Sequence, residues 1–327
     1  MKRAICIDFC DFHPNFPKTD NFYYHLLRER FDVQICDQPD YLLFGPYGHE
    51  HRLHSGIRVL LSIEPSLPDF DTCDYSVSCR KIDDPRHFQL PVYVTNGRAE
   101  ELIKKDEGPE RILVGKTKFC SFVVSNQHPA KNRNRAEIFE KLSRYKQVDS
   151  GGRYRNNIGG PVPGGTQNKI AFMRPYKFNI AFENSSLPGY TTEKIYEAMV
   201  ARCLPLYWGN PLIAEEFNPR SFLNRADFPN TEAFVEKVMA LDRDDEQYLE
   251  YLRQPYFHGN EANRYFDHGR LLDFFERIFA DKSAPVAQRR RRKALFGRWI
   301  PVKRHHWHPL PTTPSGPASP SNPVPRK

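Results

Sequence analysis

Apolar and polar residues alternate in short bursts along this chain, and several bursts have the period of a β-strand. Phe178, Ile180 and Phe182 alternate with Lys177, Asn179 and Ala181, the period-2 pattern of a strand with one apolar face. Over residues 183–190 the pattern breaks into Asn184, Ser185, Ser186, Pro188 and Gly189, each a turn former for its own steric reason. Thr191 and Thr192 then offer helix caps, and Glu193 suits the positive end of a helix dipole. Ile195, Ala198 and Met199 recur at helical spacing, and residues 204–208 read as the next buried strand. A strand, a polar loop, a helix and a second strand thus follow one another within residues 176–210. The free N–H groups at such a helix N-terminus make a seat for a phosphate group, and Lys194 adds a full charge there. A carboxylate facing a phosphate would repel it, so Glu193 is expected to face sugar hydroxyls. A dipole-friendly Glu193 and a solvated Lys194 in an ordinary loop would give the same spacing.

The same patterning organises the rest of the chain into an α/β body. Strands are predicted at 4–9, 41–44, 59–63 and 75–78, with a helix at 22–31. A strand at 119–124, a helix at 135–145, the segment above and a closing helix at 265–280 follow. Residues 94–115, charged and glycine-containing, read as a boundary. The expected organisation is therefore an N-terminal α/β domain at 1–112, a second at 116–280 and a tail at 283–327. Alternating strands and helices imply parallel sheets, whose ligands bind at the carboxyl ends of the strands.

Charge changes this picture only at the end of the chain. The total is +8, but 11 of the 48 basic residues and none of the 40 acidic ones fall in 282–327, so the preceding residues are slightly acidic. The body is not a nucleic-acid-type basic domain. Within the tail, Arg289, Arg290, Arg291, Arg292 and Lys293 precede Leu295, Phe296, Trp299, Ile300 and Trp307, which suits an anionic membrane surface. A solvated basic extension is the plainer reading, nucleic acid is not expected, and the Pro- and Ser-rich residues after 308 read as disordered. No run of about 18 apolar residues is long enough to span a bilayer, and no signal-peptide pattern is seen. The seven cysteines are scattered without C-x-x-C spacing, so reduced core cysteines and no structural disulfide are expected. His49, Glu50, His51 and His54 could suggest a metal, but no further ligand stands at a fitting spacing, and none is assigned.

The order of motifs resembles the α1,3/4-fucosyltransferases of glycosyltransferase family 10. It comprises Phe182-Glu183-Asn184-Ser185, Gly189-Tyr190-Thr191-Thr192-Glu193-Lys194 and Pro205-Leu206-Tyr207-Trp208-Gly209. Upstream stand Phe122-Val123-Val124-Ser125-Asn126, Arg135, Val148-Asp149-Ser150-Gly151-Gly152 and Asn156-Asn157, and downstream Phe217-Asn218-Pro219. The likeness runs over about 58–275 and is thinner in its first part. It implies a GT-B fold, two Rossmann-type domains facing a cleft. It also implies inverting transfer of L-fucose from GDP-fucose to O3 of GlcNAc in a Galβ1,4GlcNAc-type acceptor, giving a Lewis x type product on a bacterial surface glycan. No cofactor is required on this reading, and a divalent cation is at most stimulatory. Animal and plant members carry an N-terminal membrane anchor and stem that this sequence does not show, so a cytoplasmic enzyme peripheral on the inner membrane is expected. A GT-B transferase with another nucleotide sugar, an α1,4 linkage, and an adaptor acting through the tail remain alternatives.

The resemblance also distributes roles. Glu64, just beyond the strand at 59–63 and four residues before Pro68, matches the presumed general base; a carboxylate partly withdrawn from water accepts protons more readily. A surface carboxylate is the bland reading, with Asp69, Asp71 and Asp83 as fallbacks. Lys194 and Arg135 match phosphate-binding cations, Arg135 through a two-pronged contact. Arg133 competes for that role, in a region that also holds Lys131 and Arg144. Asn184, Tyr190 and Glu193 match donor-contacting positions, with Asn184 and Glu193 on ribose and Tyr190 near the base or the fucose. Turn chemistry for Asn184 and core packing for Tyr190 are the plain alternatives.

Overall fold

The computed structural model describes residues 1–104, 108–281 and 285. Its first sheet contains β1 (Arg3–Cys10), β2 (Phe31–Ile35), β3 (Tyr41–Phe44), β4 (Ile57–Ser62), β5 (Tyr75–Ser78) and β6 (His87–Gln89), in the order β2-β1-β3-β4-β5-β6. The second contains β7 (Lys118–Phe122), β8 (Val148–Ser150), β9 (Tyr176–Phe182), β10 (Leu204–Trp208) and β11 (Leu223–Asn224), in the order β11-β10-β9-β7-β8. Every strand pairing is parallel, as the alternation of strands with helices requires. In each sheet the chain enters at an inner strand and builds outward in both directions. The winding reverses between β1 and β3 in the first sheet and between β7 and β9 in the second. At such switch points the loops diverge and leave a crevice at the carboxyl ends of the strands.

Four expectations need correction. The strand at 176–182 buries both faces: Asn179 and Ala181 are as enclosed as Phe178 and Ile180, because β9 is a central strand covered on both sides. Asn179 is satisfied there by Ser121 Oγ, 2.8 Å from its Nδ2. The closing helix is His268–Ala280, capped by Asp267, and it packs on the first sheet, its Phe274 against Tyr75 and Phe88 and its Phe279 against Tyr41. Leu271, Leu272, Phe275, Ile278 and Phe279 join Ile5, Ile7, Tyr41 and Val59 in one core, and the Tyr41 hydroxyl donates to the Phe279 carbonyl at 2.7 Å. A second domain closing at residue 280 therefore does not describe the packing: the chain returns to the first sheet.

Cys6 and Cys36, near the paired ends of β1 and β2, form a disulfide, against the expectation of none; nothing in their spacing marks them as neighbours until β2 is laid beside β1. Cys10, Cys73, Cys79, Cys120 and Cys203 are free and buried, as expected. Among the described residues no helix is long and apolar enough to cross a membrane. The tail at 283–327 lies, apart from Pro285, outside the described residues.

Candidate active site

The loop that leaves β9 is organised by a residue to which no role was given from the sequence. Glu183 is fully buried, and its Oε1 accepts the backbone N–H of Thr192 at 2.7 Å. The Thr192 hydroxyl donates to both Glu183 oxygens at 2.9 and 2.8 Å. Thr192 is the N-cap of the helix Glu193–Val200, but its side chain does not cap it. A free N–H at the helix start is instead engaged by the carboxylate of Glu183, reaching across the loop. The turn Trp208-Gly209 fits around this arrangement, since a Cβ on Gly209 would stand 2.5 Å from Glu183 Cγ.

Lys194 closes the cluster. Its Nζ donates to Thr192 Oγ1 at 2.8 Å and to Glu183 Oε2 at 3.2 Å, with Glu193 at 3.5 Å. Burial pulls the Lys194 ammonium down, but Glu183 and Glu193 outweigh it, so the group is held in its charged form. For Glu193, burial pushes the carboxyl up, while Lys194 and Lys169 more than reverse this and lower it to about 2. Lys169 lies on the helix Thr166–Met173 and pairs at 2.6 Å with Glu197, one turn beyond Glu193. Lys194 is thus a half-buried, charged lysine at a helix N-terminus.

Arg135 lies across the same switch point. It does not open its helix, which runs Pro129–Ser143, but stands in the second turn, because Pro129 already fits the first helical position. It is buried, with Nε and Nη2 donating to the Phe182 carbonyl at 2.9 and 2.6 Å and Nη1 to Asn132 Oδ1 at 3.3 Å. One edge of the expected fork is therefore spent on the backbone at the end of β9. Burial lowers its proton affinity and Glu183, Tyr190 and Glu193 oppose that, so Arg135 lies in the field of the same cluster. Arg133 is exposed on the same helix. Beside it Asn134, Glu137, Phe182, Trp208, Arg225 and Thr231 line a cavity of about 150 Å³ at the carboxyl ends of β9 and β10.

Asn184 and Tyr190 face each other, the amide 3.4 Å from the phenol oxygen. The Tyr190 ring packs with Cys79, Val92 and Leu187 in a small core of its own. Its phenol is pushed up by burial and further by Glu183 and Glu64. Glu64, just past β4 of the first sheet, lies near Tyr190: its backbone carbonyl takes the Cys79 thiol, Sγ 3.9 Å away, and Tyr190 packs on Cys79. Glu64 is half-buried, and its Oε1 accepts from the Tyr47 hydroxyl at 2.9 Å. The fallback residues Asp69, Asp71 and Asp83 are exposed, and Asp69 closes a turn by accepting the Asp71 N–H.

The two halves meet through the loop between Glu183 and the helix. Gly189 has φ +83, and a Cβ there would lie 2.4 Å from the Cys79 carbonyl, so only glycine allows the loop to lie against the end of β5. The Lys81 N–H donates to the Pro188 carbonyl at 3.2 Å, and the Val92 N–H to the Thr191 carbonyl at 3.0 Å. Glu216 holds the loop from beneath: Oε1 accepts from Thr191 Oγ1 at 3.0 Å and from Asn210 Nδ2 at 2.9 Å, and Asn210 Oδ1 takes the Gly189 N–H at 2.8 Å.

Burial raises the Glu216 carboxyl to about 8, with the hydrogen bonds only partly opposing it. The folded protein then keeps a proton that the unfolded chain releases near the ordinary glutamate value. Stability should fall as pH rises from about 4.5 to 8, by on the order of 5 kcal/mol from this residue, and level off above. Glu197, raised to about 7 by burial, adds to the same limb. Denaturant titrations across pH 5–9 should show a shallower fall for Glu216→Gln than for the wild type.

His51, the most enclosed of the histidine cluster, lies with Nδ1 2.6 Å from Asp11 Oδ2. Among the described residues no group of three or more His, Cys, Asp or Glu is arranged to hold a metal ion.

Two parallel α/β sheets with a charged helix N-terminus at one switch point and a carboxylate on the opposing sheet are the GT-B arrangement of glycosyltransferases. Residues 7–96 match a sequence model described as the alpha-(1,3)-fucosyltransferase FucT N-terminal domain, and residues 113–261 match the C-terminal domain of glycosyltransferase family 10 (fucosyltransferase). The chain belongs to glycosyltransferase family 10. It is 29% identical over 299 residues to the alpha-(1,3)-fucosyltransferase FucT of Helicobacter pylori, a match covering 78% of this chain and 61% of that protein's length. It is 32% identical over 148 residues to the human 4-galactosyl-N-acetylglucosaminide 3-alpha-L-fucosyltransferase, covering 44% of this chain and 39% of that one. The fold superposes on a crystal structure of an alpha1,3-fucosyltransferase with GDP-fucose at TM-score 0.72 and 24% identity, over 86% of this chain and 92% of that one.

Proposed function

We propose that this protein is an inverting α1,3-fucosyltransferase that moves L-fucose from GDP-fucose to O3 of GlcNAc in a Galβ1,4GlcNAc-type acceptor. The observation that carries this reading is the pairing of two sites. Lys194, Arg135 and the helix start at Glu193 gather at the second sheet's switch point, and Glu64 stands at the end of the first sheet beside Cys79, on which Tyr190 packs. On this reading the Glu64 carboxylate takes the proton from the acceptor O3–H as O3 attacks C1 of fucose. The bond from C1 to the β-phosphate oxygen breaks, and its electron pair leaves with GDP. Lys194, Arg135 and the helix N-terminus stabilise the negative charge that develops there. One displacement inverts C1, and no protein nucleophile or cofactor takes part. Glu193 and Asn184 are assigned to the ribose hydroxyls, and Tyr190 to the wall beside the fucose.

The same support extends to an α1,4 linkage, since a Bos taurus relative named for 4-alpha-L-fucosyl transfer is 33% identical over 144 residues. Competition binding tests the donor. GDP should protect the protein thermally at concentrations where UDP does not, and preferential protection by UDP would overturn the donor assignment.

We assign the product to a bacterial surface glycan made at the cytoplasmic face of the inner membrane, where the basic tail at 283–327 would bind anionic lipid. Deleting 283–327 should leave turnover on a soluble acceptor within about 2-fold while abolishing flotation with vesicles rich in anionic lipid. Loss of all turnover would favour an adaptor acting through the tail.

A further inference from the structure

We propose that Tyr47 is a positioning residue for Glu64, and that its hydroxyl, aimed by an anchor built on Asp11, fixes which Glu64 oxygen faces the acceptor. The proposal rests on the reading of Glu64 as the base. It concerns the first sheet's switch point, between β1 and β3, where the loops after those strands diverge.

β1 ends at Cys10, and Asp11 follows in the left-handed region, at φ 59. A non-glycine residue holds that conformation only where its surroundings fix it, and here they do. The Asp11 carbonyl accepts the Tyr47 N–H at 3.0 Å. Its carboxylate accepts the N–H groups of Glu50 and His51, both at 3.0 Å, and lies 2.6 Å from His51 Nδ1. Burial pushes the Asp11 carboxyl up, but these bonds more than compensate and keep it below the usual carboxylate range. The anchor is therefore an ionised acceptor of three donors.

The loop after β3 is shaped to close on this anchor. A Cβ at Gly45 would lie 2.5 Å from the Asp11 carbonyl oxygen, and one at Gly48 would lie 2.2 Å from Asp11 Oδ1. Both positions tolerate only glycine at that approach. The His51 ring stacks on Phe44 of β3, with centroids 4.0 Å apart and planes 14° apart. Tyr47 lies between these fixed points. Its ring covers His13 at 4.0 Å, and its Oη donates to Glu64 Oε1 at 2.9 Å.

The chemistry follows from that single bond. Tyr47 is 42% exposed; the partial withdrawal of its hydroxyl from water, then its hydrogen bond to Glu64 and the Glu64 charge, raise the phenol above its ordinary range, so it remains a donor at every working pH. A donor on Oε1 leaves Oε2 as the oxygen free to receive a proton. It also stops the carboxylate from rotating about its terminal torsion, which is otherwise broad. A base held in one orientation keeps more of its encounters in reactive geometry.

The test uses the full-length protein in four forms: wild type, Tyr47→Phe, Glu64→Gln and the double variant. Tyr47→Phe keeps the ring on His13 and removes only the hydroxyl. Its kcat should fall between about 10- and 100-fold, while both KM values and GDP affinity stay within about 2-fold. In the Glu64→Gln background the second change should add nothing. Asp11→Asn, which keeps the shape of the anchor, should reproduce the kcat loss if the loop loses its aim. An inactive Glu64→Gln beside a Tyr47→Phe of wild-type kcat would overturn the positioning role alone. A raised acceptor KM with unchanged kcat in Tyr47→Phe would do the same, since it would make Tyr47 a sugar contact. Normal turnover by Glu64→Gln would remove the base itself and the proposal with it.

Discussion

Glu64→Gln should lower kcat by roughly 10²–10⁴-fold, the usual contribution of a positioned general base, while GDP affinity stays within about 2-fold. The split follows from where the residue stands. Glu64 belongs to the first sheet, whereas Glu183, Lys194 and Arg135 belong to the second. Gln is isosteric and still accepts the Tyr47 hydrogen bond, so the fold should be unaffected. What is lost is the oxygen that can hold a proton. Steady-state kinetics with calorimetric GDP binding separates the two halves of the expectation. If the variant turns over at the wild-type rate, the base lies elsewhere in the first sheet. The exposed Asp69, Asp71 and Asp83 would be the first to examine.

Lys194→Ala should damage both folding and turnover, and for related reasons. Removing the ammonium leaves the Glu183 carboxylate buried with Thr192 and without its cation. Breaking a buried pair on one side costs about 3–5 kcal/mol. The effect should appear as a lower denaturant midpoint with an unchanged m-value. Turnover should fall by about 10²–10³-fold, because the departing diphosphate loses a full charge in a partly enclosed site. GDP should no longer protect the variant thermally as it does the wild type. Glu183→Gln is the informative companion. It keeps an acceptor for the Thr192 N–H but removes the charge that holds Lys194, so it should lose less stability than Lys194→Ala. Should Lys194→Ala retain both GDP protection and turnover, Lys194 would be a structural partner of Glu183 only.

How much of this was legible in the sequence depends on range. The strand at 176–182, the loop at 183–190 and the helix that follows are local patterns, and the structure has them within a residue or two. The strands at 41–44 and 75–78 coincide with β3 and β5 for the same reason. The roles of Glu183, Asp11 and Tyr47 were not legible. Glu183 acts on a residue nine positions away through a loop closure, Asp11 on residues some forty positions away, and Tyr47 on Glu64 across a strand. No periodicity encodes such pairs, although a carboxylate immediately after a buried strand, as at Glu183, was a usable signal. The helix of Arg135 begins at Pro129, earlier than the apolar pattern predicts, because its polar first turn has no apolar stripe. The packing of the helix His268–Ala280 on the first sheet could not be read either, because its amphipathic face fits any sheet and only topology selects one.

The most direct test of the account is transfer itself, measured with the full-length protein, radiolabelled GDP-fucose and N-acetyllactosamine. Label should move to the acceptor with one GDP released per fucose, and the new linkage should be α to O3 of GlcNAc. No transfer from GDP-fucose, together with tight binding and turnover of a different nucleotide sugar, would contradict it.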